Sequence, residues 1–219
     1  MEDIRSQSLS DSVFERIEQY ILTGEYPVGM LLTENGLSKS LNVSRTPIRE
    51  AISRLTQENL VKETQRGHVV SGVSASDIID IYDVRAKIEG VAAARCAETI
   101  SDAALDNLKE IVDLQEFYTL RGEADKIKSF DNDFHGIIYD NCGSVIYAEI
   151  LSLLHKKAQR FRKISVSDNE RAKDVVSEHK KILSALSDHD AALAEKLTVE
   201  HVENAKNSIL AFINNIQGE

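Results

Sequence analysis

Apolar positions along this chain recur mostly at helical spacing and give way to short extended runs in only one region. Val13, Ile17, Ile21 and Leu22 fall on one face of a helix expected over 12–23, which stops at Gly24. "GEYPVGM" reads as a loop punctuated by Pro27 and Gly29. Thr33 suits the cap of a second helix reaching Leu41, with Leu37 and Leu41 on one face. A tight "NVS" link leads to a third helix from Arg45 to about Glu58. Residues 60–64 and 68–71 then read as two strands joined through "QRG".

Beyond "GVSAS" the pattern is helical throughout, with segments expected at about 77–98, 102–120, 123–141, 144–165, 169–187 and 189–216. Ser76, Ser101, Ser144 and Asp168 lie near the expected N-caps. The fold class is therefore mainly α. A small domain over 8–73, three helices and a two-stranded wing, precedes an antiparallel bundle of about six helices over 77–217.

The segment "NVSRTPIREA" places a proline inside the third helix. Ser44 has the chemistry of an N-cap, so Pro47 falls in the first turn, where no intrahelical partner is lost. Ile48, Ala51, Ile52 and Leu55 follow at core spacing, which leaves Arg45 and Arg49 on the outer face with Thr46 beside them. The positive end of a helix suits phosphate, and an arginine there can pair with guanine in the major groove. This is the pattern of a helix-turn-helix recognition helix.

Charge sharpens the division. The chain carries 26 Lys+Arg against 36 Asp+Glu, which argues against a non-specific nucleic-acid coat. Yet residues 43–66 hold five basic side chains and three acidic ones, whereas 76–219 hold 18 and 26. Cys96 and Cys142 are too few for a disulfide framework and are expected reduced, in helices. No signal peptide or membrane-length apolar run is present, so the expected compartment is the cytoplasm.

Of six histidines, His155 and His189 are expected at the surface and His68 in the wing. Asp131 and His135, four apart, project from one helical face, while His179 and His201 lie in the fifth and sixth bundle segments. One carboxylate and three imidazoles from neighbouring helices could converge on a divalent metal, with buried or partly exposed histidines as the plainer alternative.

The stretch "VFERIEQYILTGEYPVGMLLTENGLSKSLNVSRTPIREAISRLTQENLVKETQRGHVVS" resembles the winged helix-turn-helix of GntR-type bacterial transcriptional regulators, most specifically in "VSRTPIREAISRL". The resemblance implies DNA contacts by Arg45, Thr46, Arg49 and the wing-tip Gly67, supported by Ser44, Arg66 and His68. Asn35 departs from the longer polar or basic residue common at the start of the second helix. "DIYDVRAKIEGVAAARCA", "FDNDFHGIIY" and "SEHKKILSALSDHDAALAEKLTVEHV" resemble the all-helical effector domain (FCD type) of the FadR-like branch. In metal-containing members the matching positions, here Asp131, His135, His179 and His201, are ligands. That resemblance implies a small organic acid bound through its carboxylate to the metal (Zn, Ni or Mn), with Arg85 assisting; an Arg85–Glu89 pair is the alternative. Ser144 stands where relatives usually have Asn.

The expected function is a metabolite-responsive repressor that acts as a homodimer on a palindromic double-stranded operator, with no membrane partner. Two other functions use the same cluster: a metal-dependent helical enzyme and a direct metal-ion sensor. The first finds no His-Glu-x-x-His, P-loop or dinucleotide fingerprint in the sequence.

Overall fold

The computed structural model describes residues 8–158 and 169–217. The chain divides into two compact units, Met1–Ser74 and Ala75–Glu219.

In the first unit, α1 (Leu9–Thr23) is followed by β1 (Leu31–Leu32), α2 (Glu34–Leu41), α3 (Arg45–Gln57), β2 (Val61–Thr64) and β3 (Gly67–Val70). Helix α1 starts earlier than Ser12, because the Ser8 hydroxyl accepts from the Asp11 N–H; its first residue, Leu9, is exposed and adds nothing to the apolar stripe. Thr33 caps α2 by accepting from Gly36 N–H. The apolar faces of the three helices close over Leu32, Leu60, Val61 and Val70 in one core, in which Ile17, Ile48 and Leu55 are fully enclosed.

The sheet has three antiparallel strands in the order β1-β3-β2, one more than the pattern predicts. Strand β1 is two residues long, too short to show alternation, and forms because β3 offers an edge: Leu31 pairs with Val69 and Leu32 with His68. On the other side Val61 pairs with Val70 and Thr64 with Gly67.

The second unit is all-helical among its described residues: α4 (Ala75–Thr99), α5 (Asp102–Arg121), α6 (Ala124–Asp140), α7 (Val145–Lys157), α8 (Asn169–Ser187) and α9 (Ala191–Gln217). Its core joins Ala92, Ala93, Cys96 and Ala97 of α4 to Leu108 and Val112 of α5, Phe134 and Ile138 of α6, and Ile182 and Leu186 of α8. The alanines let other helices approach α4 closely, and α9 packs along it. Ser101 and Ser144 cap α5 and α7 through their hydroxyls. Ser76, in contrast, lies inside α4, which begins at Ala75. The expected end of the 144–165 helix and the Asp168 cap lie outside the described residues.

Two further expectations are corrected. Cys142 is not in a helix: α6 ends at Asp140, and Cys142 is buried in the turn before Gly143. His155 is not a surface residue. It is buried on α7, between the Tyr139 hydroxyl at 3.2 Å and Asn132 Oδ1 at 3.0 Å, where burial and then the nearby Arg85 charge hold its pKa well below the ordinary imidazole value. His189 is exposed, its Nδ1 2.7 Å from the Ala97 carbonyl.

Candidate nucleic-acid interface and metal centre

The amino end of α3 is built as the spacing implies. Pro47, Ile48, Ala51, Ile52 and Leu55 are buried, and Ser44, Arg45, Thr46 and Arg49 are exposed. Ser44 takes the extended backbone of an N-cap, but its hydroxyl makes no cap hydrogen bond, contrary to the expectation for that side chain. No acidic residue occupies the first turn. The first-turn N–H groups, Pro47 aside, therefore have no side-chain oxygen from Ser44 to neutralise their positive end.

Arg49 forms a forked pair with Glu34 at the start of α2, Nε to Oε1 at 3.0 Å and Nη2 to Oε2 at 2.9 Å. Its side chain stays 70% exposed. The hydrogen bond from Arg49, with the charges of Arg45 and His68 further out, holds the Glu34 pKa below the usual carboxylate value. Arg49 thus holds this carboxylate directly, and Arg45 of α3 and His68 of β3 act on it through their charge. Sequence reading missed Glu34, since nothing local marks it as the partner of a residue fifteen positions on.

At the wing tip, the Thr64 hydroxyl donates to the Gly67 carbonyl at 2.8 Å and accepts from Arg66 N–H at 3.3 Å. Gly67 has φ +127°, and a Cβ there would lie 3.2 Å from the Leu32 carbonyl oxygen. Only glycine takes that backbone without strain. Arg66 is exposed beside it and His68 half-buried.

In the bundle, Asp131 and His135 of α6, His179 of α8 and His201 of α9 are all buried, and one ligand atom from each lies within 4.8 Å of all the others. His201 Nε2 is 3.3 Å from His135 Nε2; Asp131 Oδ1 is 3.6 Å from His179 Nε2 and 4.0 Å from His135 Nε2. The opposite ring nitrogens all face oxygen. His179 Nδ1 lies 2.7 Å from Gln115 Oε1, His201 Nδ1 2.7 Å from Glu178 Oε2, and His135 Nδ1 3.3 Å from Glu89 Oε2.

A carboxylate can only accept, so His201 turns its Nδ1–H toward Glu178 and its Nε2 lone pair toward His135. The 3.3 Å between the two Nε2 atoms suits a cation or a proton between them. Burial lowers the His201 pKa, the hydrogen bond with Glu178 raises it in part, and it rests at about 4, which disfavours the proton. Three nitrogens and one carboxylate oxygen make a mixed donor set that fits Zn²⁺, Ni²⁺ or Mn²⁺.

The surrounding charges are arranged in relays. Arg85 is buried and donates through Nε to Glu89 at 2.6 Å, the ion pair that i,i+4 spacing allows. Its Nη1 is buried without a hydrogen-bond partner. Burial raises the Glu89 pKa, but Arg85 and His135 outweigh it and hold the carboxyl well below its ordinary value. Arg171 forks onto Glu178 at 2.7 and 2.9 Å; Glu178, raised by burial and lowered more strongly by His201 and Arg171, rests at about 2. A cavity of about 430 Å³ reaches Arg171, Glu178, His201 and Asn204. A second, of about 230 Å³, reaches Asn132, Tyr139 and His155. Gln115, Glu178 and Arg171 were missed from sequence, and Glu89 was foreseen only as the ion-pair partner of Arg85. Gln115 left a signal: it interrupts the buried register Leu108, Ile111, Val112, Thr119 of α5 with an amide.

Residues 80–204 match the FCD domain family, and residues 9–70 match the bacterial regulatory proteins of the gntR family. The chain belongs to the GntR family and carries an FCD domain. This regulator is 25% identical over 213 residues to the HTH-type transcriptional regulator BphR of Paraburkholderia xenovorans (strain LB400), covering 94% of this chain and 87% of that one. It is 23% identical over 205 residues to the HTH-type transcriptional repressor RspR of Escherichia coli (strain K12), covering 93% and 90%. Its fold matches that of E. coli McbR/YncC with a TM-score of 0.79 at 20% identity, over 94% of this chain and 99% of that one. These families and relatives are transcriptional regulators, not enzymes, which sets the enzymatic alternative aside. Among the described residues, no helix is long and apolar enough to cross a membrane.

Proposed function

We propose that this GntR-type regulator is a cytoplasmic homodimeric repressor whose hold on a palindromic operator is set by a small carboxylate-containing metabolite. Arg45, Thr46 and Arg49 read the major groove, Ser44 and the first-turn N–H groups meet phosphate, and Arg66, Gly67 and His68 bring the wing to the minor groove. Asp131, His135, His179 and His201 hold one divalent ion, Zn²⁺, Ni²⁺ or Mn²⁺. Bound there, the ion supplies a cation for the effector's carboxylate. Arg85 assists through Nη1, the guanidinium atom that Glu89 leaves without a partner. Effector binding then shifts the population of dimers whose winged helices match half-sites about one helical turn apart.

The observation that carries this reading is the convergence of four buried ligand atoms within 4.8 Å, on a chain whose other unit exposes Arg45 and Arg49. Gently purified protein, analysed for elements and by native mass spectrometry, is expected to hold about one divalent ion per chain with a small acid retained on it. Replacing His179 with Ala should empty most of that site while helix content stays intact; full occupancy in the variant would show the ligand set to be wrong. Operator affinity that follows the ion alone, with no response to any small carboxylate, would make the protein a direct metal sensor instead.

A further inference from the structure

The metal site just proposed leaves a residue of α5 without a role. Gln115 is fully buried on the apolar face of its helix. A primary amide in such a place needs partners for both its oxygen and its nitrogen. Only the oxygen has one: Oε1 lies 2.7 Å from His179 Nδ1, while Nε2 is buried with no hydrogen-bond partner. An amide held in an apolar stripe for a single hydrogen bond points to the worth of that bond.

The geometry around His179 shows what the bond does. Its ring stacks on Phe134, with centroids 3.9 Å apart and planes 12° apart, which fixes the plane of the imidazole. Stacking does not fix rotation within that plane, nor which nitrogen carries the proton. An oxygen opposite Nδ1 fixes both, placing the proton on Nδ1 and the lone pair on Nε2, toward Asp131. Glu178 stands in the same relation to His201 Nδ1 at 2.7 Å, and is itself held by Arg171 and by Asn204 Nδ2 at 2.8 Å.

We infer that Gln115 and Glu178 are positioning residues, each accepting the Nδ1–H of one histidine so that Nε2 is presented to the ion. This rests on the metal-site reading above. The two are not equivalent: Glu178 places a charge beside the cluster, and Gln115 orients a ligand without adding one. Gln115 is therefore the cleaner residue to test, because its replacement by leucine changes hydrogen bonding and not charge.

The test is Zn²⁺ affinity of the full-length protein, measured by competition with a chromophoric chelator, for wild type, Gln115→Leu and Gln115→Glu. Outer-shell partners of metal-bound histidine typically contribute about 10–100-fold in affinity, and a loss in that range is expected for Gln115→Leu. Gln115→Glu keeps an acceptor opposite Nδ1 and should bind within about threefold of wild type or tighter, a rescue that mere packing would not give. Equal affinity in folded Gln115→Leu and wild type would overturn the inference while leaving the metal site standing. A wild type that takes up no Zn²⁺ would remove the site itself. Should Gln115→Leu fail to fold, histidine ¹⁵N–¹H spectra of the Zn²⁺-loaded wild type decide: a proton on His179 Nδ1 is required, and a proton on Nε2 contradicts the inference.

Discussion

Arg49 meets Glu34 through two hydrogen bonds while most of its side chain stays in water. Exposed pairs of this kind contribute little to stability, and if Arg49 reads DNA as proposed, a carboxylate beside it opposes both the phosphates and the base edge. Replacing Glu34 with Ala is therefore expected to leave the thermal midpoint nearly unchanged and to tighten operator binding several-fold. Fluorescence anisotropy on a labelled operator, alongside a thermal melt, checks both; weaker binding with an unchanged melt would mean that Glu34 orders Arg49 for DNA. The arginine's outward direction was legible in the sequence, because Ile48, Ala51, Ile52 and Leu55 fix the opposite face of α3. Its partner was not, since Glu34 belongs to another helix and only the fold brings them together. The same holds for His155, which has ordinary neighbours along the chain yet is buried against Tyr139 and Asn132.

Among the described helices, α4 and α9 pack along each other, and Gly90 lies in their interface. A Cβ on Gly90 would lie 2.7 Å from Val199 Cγ2 and 3.2 Å from Glu195 Cγ. Overpacking costs about 1–3 kcal/mol, against a gain of up to about 1 kcal/mol for Ala over Gly in a helix. Gly90→Ala should therefore be net destabilising, by up to about 2 kcal/mol. Gly136 in α6 is the contrast: a Cβ there meets nothing within 4 Å, and Gly136→Ala should gain about 0.4–1 kcal/mol. Urea denaturation of the two variants should move the midpoint in opposite directions, and a stabilised Gly90→Ala would contradict the close packing. At this scale the helices were legible because their apolar period is long and regular. Strand β1 was not, because two leucines become a strand only when β3 lies beside them. The end of α6 was legible to within a residue, with Asn141 as its C-cap, and only Cys142, expected in a helix, falls in the turn beyond it.

At the level of the whole molecule, a chain of net charge −10 holds five basic and three acidic side chains over residues 43–66, the segment that includes the exposed amino end of α3. A net negative chain disfavours indiscriminate binding to nucleic acid, and the proposed function puts the attraction to phosphate at the amino end of α3. Convergence of Asp131, His135, His179 and His201 was legible as residue types at suitable places on separate helices; the oxygens that orient the imidazoles come from elements the sequence leaves unconnected. The central claim is that the amino end of α3 reads DNA. Its most direct test is the affinity of Arg49→Ala for a palindromic operator at fixed salt, with helix content followed by circular dichroism. Loss of one base-reading contact in each half-site should weaken a dimer by at least about thirtyfold with the spectrum unchanged. Wild-type affinity in the folded variant would contradict the account.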